Sequence, residues 1–206
     1  MTIKEMHTAF LVLGQQMGMQ NMRNILPNEI DVFLNAAIID EVRKVILSNT
    51  TQTFPDKVSA QKNAISPINF IRTLYKSGTP TIDNNVLTDN FDVMLYLSVS
   101  VKYEHDGKVY GCRIIEEDEL ANTLNDYCNG ASFDYPIASF SNDSWKIYSG
   151  NRNVIDATIN YIANPTKVSY KSNINCDLPE YTHNQIIEAA ITKYFASVGQ
   201  TSQNVN

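Results

Sequence analysis

Apolar positions along the chain change period twice, and the changes separate helical ends from a strand-rich middle. Met6, Phe10, Leu13 and Met17 recur at helical spacing, with Gly14 and Gly18 weakening the turn that follows, so a helix is predicted over about 3–18. Ile30, Phe33, Leu34, Ala37, Ile38, Val42, Val45 and Ile46 form a longer stripe that predicts a helix over about 28–47. Its entry is marked by Pro27 in the first turn, or by Asn28 as cap with Asp31 three residues on. Eight such side chains, at up to about 1.5–3 kcal/mol each when buried, make this a core element. Residues 48–65 are Thr-, Gln-, Asn- and Lys-rich and read as a loop. Ser66, Pro67, Ile68, Ile71, Leu74 and Tyr75 then predict a short helix over about 66–76 that stops at Gly78, and 79–90 reads as a second loop.

In the middle of the chain the period falls to two. Val93, Leu95, Leu97, Val99, Val101 and Tyr103 alternate with Met94, Tyr96, Ser98, Ser100, Lys102 and Glu104, which predicts a strand over 92–104. Asp106-Gly107 supplies the residues of a two-residue turn into a strand over 108–115. That turn sets Tyr103 opposite Tyr110, Val101 opposite Cys112 and Val99 opposite Ile114, apolar on apolar. Glu116-Glu117-Asp118-Glu119 opens a helix over 116–128, where carboxylates complement the helix dipole; a calcium loop would need spaced oxygens and a glycine. Strands follow over 136–141 and 144–149, joined by Ser141-Asn142-Asp143-Ser144, and over 154–163, ending at Asn164-Pro165. Leu178-Pro179-Glu180 starts a last helix over 180–198, with Ile186, Ile187, Ala190, Ile191, Tyr194, Phe195 and Val198 on it. The expectation is one α+β domain over 1–206: a small antiparallel sheet of about five strands, packed with a bundle of N- and C-terminal helices.

Composition alters this picture in one respect. Charged residues are 18% of the 206, below the usual ~25%. Their place is taken by 23 Asn, 15 Ser and 15 Thr. Such a surface suits a protein that packs against copies or partners through short hydrogen bonds. The net charge of −6 offers no basic field for specific nucleic-acid binding, no polybasic run suggests a membrane surface, and no apolar stretch approaches the ~18 residues of a membrane span. The first seven residues lack the pattern of a signal peptide, so the expected place of synthesis and assembly is the cytoplasm.

Candidate chemistry is sparse. Cys112, Cys128 and Cys176 form no CxxC, and His7, His105 and His183 form no HxxxH, so neither a disulfide framework nor a metal site is expected. No glycine-rich phosphate loop and no GxSxG occurs. Cys176, Asp177 and His183 bracket a helix start and are the nearest approach to a nucleophilic triad; a loop thiol beside a capping segment is the plainer account. No catalytic, cofactor-binding or metal-binding residue is therefore assigned, and no cofactor is expected.

The motifs that carry a resemblance lie at the two ends. Tyr161-Ile162-Ala163-Asn164-Pro165-Thr166-Lys167-Val168, followed by Cys176-Asp177-Leu178-Pro179-Glu180-Tyr181-Thr182-His183 and an amphipathic helix, resembles the ending of ring or neck proteins of crAss-like and other tailed bacteriophages. Glu29-Ile30-Asp31-Val32-Phe33-Leu34-Asn35-Ala36-Ala37 resembles their opening helix. Together these stretches cover about a third of the chain; the loop over 48–65 and the acidic helix over 116–128 match nothing in that pattern. The resemblance implies a head-to-tail connector or tail-ring subunit: a cyclic homo-oligomer, twelvefold in most such connectors. It would sit in the virion neck between the portal and other tail ring or hub proteins, and pass genomic DNA without sequence-specific binding. Two further readings compete. A virion-associated cell-wall hydrolase would use Glu116, Glu117, Cys176 or His183. A carbohydrate- or receptor-binding module would expose Trp145, Tyr148 and Tyr161 on one sheet face.

Overall fold

The computed structural model describes residues 1–17, 25–50, 69–104 and 107–203. The expected loop over 48–65 lies largely outside the described residues, as does Asp106 of the expected turn. The fold class is α+β, and the chain divides into two compact units. One is built from both chain ends (1–74 and 165–206), and the other is the continuous segment Tyr75–Asn164 between them.

The end-derived unit is helical. Helix α1 (Ile3–Gln16) starts in a capping box: the Thr2 hydroxyl accepts from Glu5 N–H, and the Glu5 carboxylate accepts from Thr2 N–H at 2.7 Å. Helix α2 (Pro27–Thr50) begins at Pro27, and Glu29 reaches back to accept from Leu26 N–H. Asp31 is therefore too deep in the helix to cap it, which corrects its predicted role. The expected stripe buries Ile30, Leu34, Ala37, Ile38 and Val42, while Phe33, Val45 and Ile46 are half-buried. Residues 69–71 form a helical turn that tightens into a 3₁₀ turn at Arg72–Leu74. A 3₁₀ turn at Glu180–Thr182 leads into the long C-terminal helix, His183–Gln203, which buries Ile186, Ile187, Ala190 and Ile191. It meets α2 through polar pairs as well: Lys193 with Asp40, and Gln185 donating to the buried Glu41 carboxylate at 2.8 Å. Tyr194 fills the space between Phe10 and Phe33, with ring centroids 6.2 and 5.3 Å away.

The inserted unit holds two sheets where one was expected. Strands β1 (Tyr75–Gly78), β2 (Thr81–Asp83), β3 (Val86–Thr88), β4 (Val93–Tyr103), β5 (Val109–Gly111), β6 (Arg113–Ile114), β7 (Ile137–Ser141), β8 (Ser144–Tyr148) and β9 (Val154–Ala163) follow in order. Helix α3 (Glu117–Asn125) lies between β6 and β7, and the C-terminal helix is α4. One sheet runs β1-β9-β4-β5, all antiparallel; the other runs β2-β3-β8-β7-β6, with β6 parallel to β7. Val99, Val101, Tyr103, Ala157, Ile159 and Tyr161 of the first share a core with Leu87, Ala138, Trp145 and Ile147 of the second.

Several expectations are corrected here. The helix predicted to 76 ends at Leu74, and Tyr75–Gly78 is strand. The loop predicted over 79–90 contains the β2–β3 hairpin, which turns on Asn84 and Asn85, both at positive φ (48° and 65°). Asparagine tolerates that conformation, so Asn-Asn closes a tight hairpin where a glycine was the signal sought. The predicted β7–β8 hairpin is present, with Asn142 and Asp143 in the same left-handed region.

The predicted 108–115 strand is two strands in different sheets. Cys112 is the crossing residue: its N–H donates to Val99 O at 2.8 Å, while Arg113 N–H already donates to Pro136 O at 2.9 Å. The register is also shifted. Val101 pairs with Tyr110 and Ser100 with Gly111, and Ile114 pairs with Ala138. A shift of two leaves every side chain on its predicted face, so alternation alone does not distinguish the two registers. Irregularities in the β4–β9 ladder flip the expected faces elsewhere: Leu95 and Leu97 are 36% exposed, while Tyr96 packs edge-on against Trp145, ring centroids 5.0 Å apart.

Gly78 admits a direct test. A Cβ there would lie 2.4 Å from Phe91 Cζ, and that ring is stacked on Tyr161 at 4.9 Å. Gly78→Ala is expected to cost about 1–3 kcal/mol in urea unfolding, and combining it with Phe91→Leu should give less than the sum of the two losses.

Candidate functional site

The residues singled out for chemistry are not gathered at one place. Cys176 and His183 do not hydrogen-bond to each other: His183 Nε2 is 3.0 Å from Leu178 O, and its buried Nδ1 has no hydrogen-bond partner. Burial holds the His183 pKa below the usual value and pushes the Cys176 thiol up to about 11. Asp177 accepts from Thr166 N–H at 3.0 Å. Each member thus has a place in the start of α4, and none is oriented on another as a nucleophile, base and orienting acid would be. The thiol of Cys112 is pushed to about 12 by burial, and Cys128 is exposed.

The acidic run lies where the helix-dipole account puts it. Glu117, Asp118 and Glu119 occupy the first turn of α3, and Glu116 stands at its N-cap with no side-chain capping bond. Among the described residues no three His, Cys, Asp or Glu converge to hold a metal ion. Of the three aromatics proposed for a binding face, Trp145 and Tyr161 are buried in the sheet core and Tyr148 is half-buried, with Lys146 Nζ 5.3 Å from its ring centre.

Two features were not predicted. The first is a buried polar clamp in the helical unit. Asp31 receives Tyr170 N–H at 2.9 Å and His7 Nε2 at 2.8 Å, and the His7 ring lies 4.8 Å from the Tyr170 ring. One turn further along α2, Asn35 donates to Val168 O and accepts from Val168 N–H, at 3.0 and 2.8 Å. Asn175 Oδ1 accepts from Ile3 N–H at 2.8 Å. The segment 168–175, closed on itself by the Ser169–Ile174 bridge, is thereby tied to α1 and α2. A side-chain amide that both donates and accepts takes the part of a neighbouring strand for the buried Val168, while the rest of the segment runs along the surface.

The second is an aromatic loop in the inserted unit. Asp126 accepts from Cys128 N–H and from the Asn129 amide, Gly130 N–H donates to Asp126 O, and Arg113 donates to Asn129 O. This frame holds Tyr127 and Tyr135 in solvent, beside a cleft of about 440 Å³ that Gly111, Arg113 and Cys128 also line. A sequence signal existed in the Asp126…Asn129-Gly130 turn residues, but nothing there distinguished exposed from buried tyrosines.

Three outcomes check this description. Asp31→Ala strands Tyr170 N–H and His7 in a buried site and is expected to cost about 2–4 kcal/mol in chemical denaturation. A disulfide reagent at pH 8 should label Cys128 at once and reach Cys112 and Cys176 only on unfolding, since burial keeps both protonated. The pH profile follows in sign. Because burial depresses His183, the unfolded state binds its proton more readily, so stability present above about pH 6.5 falls as the pH drops below it, and His183→Gln should flatten that limb. At the alkaline end the raised thiols contribute stability that is complete below pH 9 and is lost as the pH climbs toward 11–12.

Set against known proteins, the chain matches no family model and no curated protein.

Proposed function

We propose that this chain is a structural virion protein, a ring subunit in the portal–tail (neck) assembly of a short-tailed bacteriophage. Copies close head to tail around a conduit for DNA, dock to the portal on one side and meet further tail ring or hub proteins on the other. One observation carries the proposal. The stretches that resemble phage ring proteins, 29–37 at one end and 161–168 with 176–183 at the other, lie far apart in sequence, yet Asn35 of the first holds the backbone of Val168, and Asp31 holds Tyr170 in the segment that joins the other two. That the two ends meet in one clamp supports reading the two similarities together. The amide-rich surface supports the same reading, because amide contacts between subunits avoid the cost of burying charge. A net charge of −6 suits a conduit, since a strongly basic wall would retain the passing phosphates.

A second reading, a carbohydrate- or receptor-binding module, draws support from Tyr127 and Tyr135 flanking their cleft, although the aromatics first considered for it lie elsewhere. The two are separated by the particle itself. Mass spectrometry and antibody labelling of virions should find the chain in a fixed multiple of the portal copy number, at the neck. Its absence from particles overturns the ring reading. Presence only at fibre tips, with retention on a glycan column lost in Tyr127→Ala, replaces it with the second.

A further inference from the structure

We infer that copies of this chain join by strand pairing, with the free edge of β5 in one copy against the free edge of β1 in the next. This rests on the ring reading above and specifies its contact.

Among the described residues, the four-stranded sheet β1-β9-β4-β5 ends in an unpaired strand on each side. Which groups those edges offer follows from one hydrogen bond. Cys112 N–H donates to Val99 O, so by antiparallel alternation Tyr110 also faces β4, and Val109 and Gly111 direct their N–H and C=O outward. On β4, Val99 and Val101 are then turned to β5, so Ser98 and Ser100 face β9. Their partners Asn160 and Thr158 face back, leaving Ile159 and Tyr161 to face β1, where Gly78 and Lys76 lie opposite them. Tyr75 and Ser77 therefore point outward on the far edge. Each edge offers two residues with both a donor and an acceptor, at the same two-residue spacing.

Direction and side chains fit as well. Strand sense alternates through the sheet, so a copy added beside β5 brings its β1 in antiparallel, and the ladder continues without a reversal. The register that matches outward groups puts Ser77 opposite Val109 and Tyr75 opposite Gly111. Val109 is 68% exposed and Tyr75 42%, and a Cβ built on Gly111 meets nothing within 4 Å. The tyrosine ring of one copy would cover the bare glycine of the next, an arrangement that stabilises sheet-edge glycines. Charge agrees: 72–82 carries Arg72 and Lys76 and no acid, whereas 104–119 carries six acids against Lys108 and Arg113. Two different edges joined in this way make a heterologous contact, the kind that closes into a ring.

The test uses the full-length chain, by native mass spectrometry and electron microscopy across a concentration series. Val109→Pro and Ser77→Pro each remove an outward N–H that the subunit itself does not use, a place where strands accept proline. Each should keep the wild-type circular dichroism and raise the concentration needed for rings by about tenfold or more, and a 1:1 mixture should yield a discrete heterodimer, because one variant keeps β1 and the other β5. Should a proline variant fail to fold, the Ser77→Cys, Val109→Cys double variant gives the same answer: oxidation should produce a ladder of covalent multimers. Rings that form equally well in both proline variants, or an unladdered cysteine pair in formed rings, overturn this contact while leaving the ring reading intact. Loss of assembly in Val109→Pro alone points to a two-fold β5–β5 pairing and also overturns it. A wild-type chain that forms no ring in solution or in particles removes both.

Discussion

One largely buried carboxyl group, that of Asp31, ties the helical unit together. Asp31 is 8% exposed, and its oxygens are held by a backbone N–H from 139 residues further along the chain and by a ring nitrogen from 24 residues before it. A buried polar group is costly once its hydrogen bonds are lost, so Asp31 couples α1, α2 and the 168–175 segment to one another. The apolar face of α4 buries Ile186, Ile187, Ala190 and Ile191, but apolar burial has no direction and is forgiving of small slides. The Asp31 and Asn35 bonds are not, because a shift of one residue along α2 would rotate both side chains out of reach. Packing makes the unit stable; the clamp fixes its register.

The fold class and most element positions were legible because period is a property of every residue in a segment. Eight apolar positions on α2 outvote any single misplacement. The elements that escaped were three or four residues long. Hairpin β2–β3 was hidden because its turn is Asn84-Asn85, and six strand residues carry too little alternation to stand out from the loop residues around them. The split of 109–114 into two sheets was hidden for a different reason: a strand that changes partner at Cys112 keeps its alternation, and only hydrogen bonds to two different strands reveal the change.

The site residues divide along the same line. Asp31 reads from sequence as a first-turn acid, and its actual role depends on Tyr170, which no local pattern connects to it. Asn35 has no local signal to mark it and is a backbone partner of Val168. The acidic run, by contrast, was read correctly as a helix start because that account needs only neighbours in sequence. Tyr127 and Tyr135 could not be told from the buried tyrosines: the helix expected over 116–128 ends at Asn125, which leaves Tyr127 in a turn, and Tyr135 lies in a bend before β7. Long-range polar partners and exposure, then, are what the sequence withheld.

The pairing of β1 with β9 bears on how the chain comes off the ribosome. Tyr75 lies opposite Ile162, so the two ends of the inserted unit are a strand spacing apart once it folds. The helical unit needs residues from both sides of that insertion, and bringing them together across about 90 unstructured residues would cost roughly 4 kcal/mol of chain entropy. An insertion that folds first removes most of that cost by delivering its exit beside its entrance. The N-terminal helices emerge early and must wait, with Asp31 unsatisfied, until Val168 and Tyr170 have been made. Loop entropy in this connectivity thus favours a middle that forms before the ends meet.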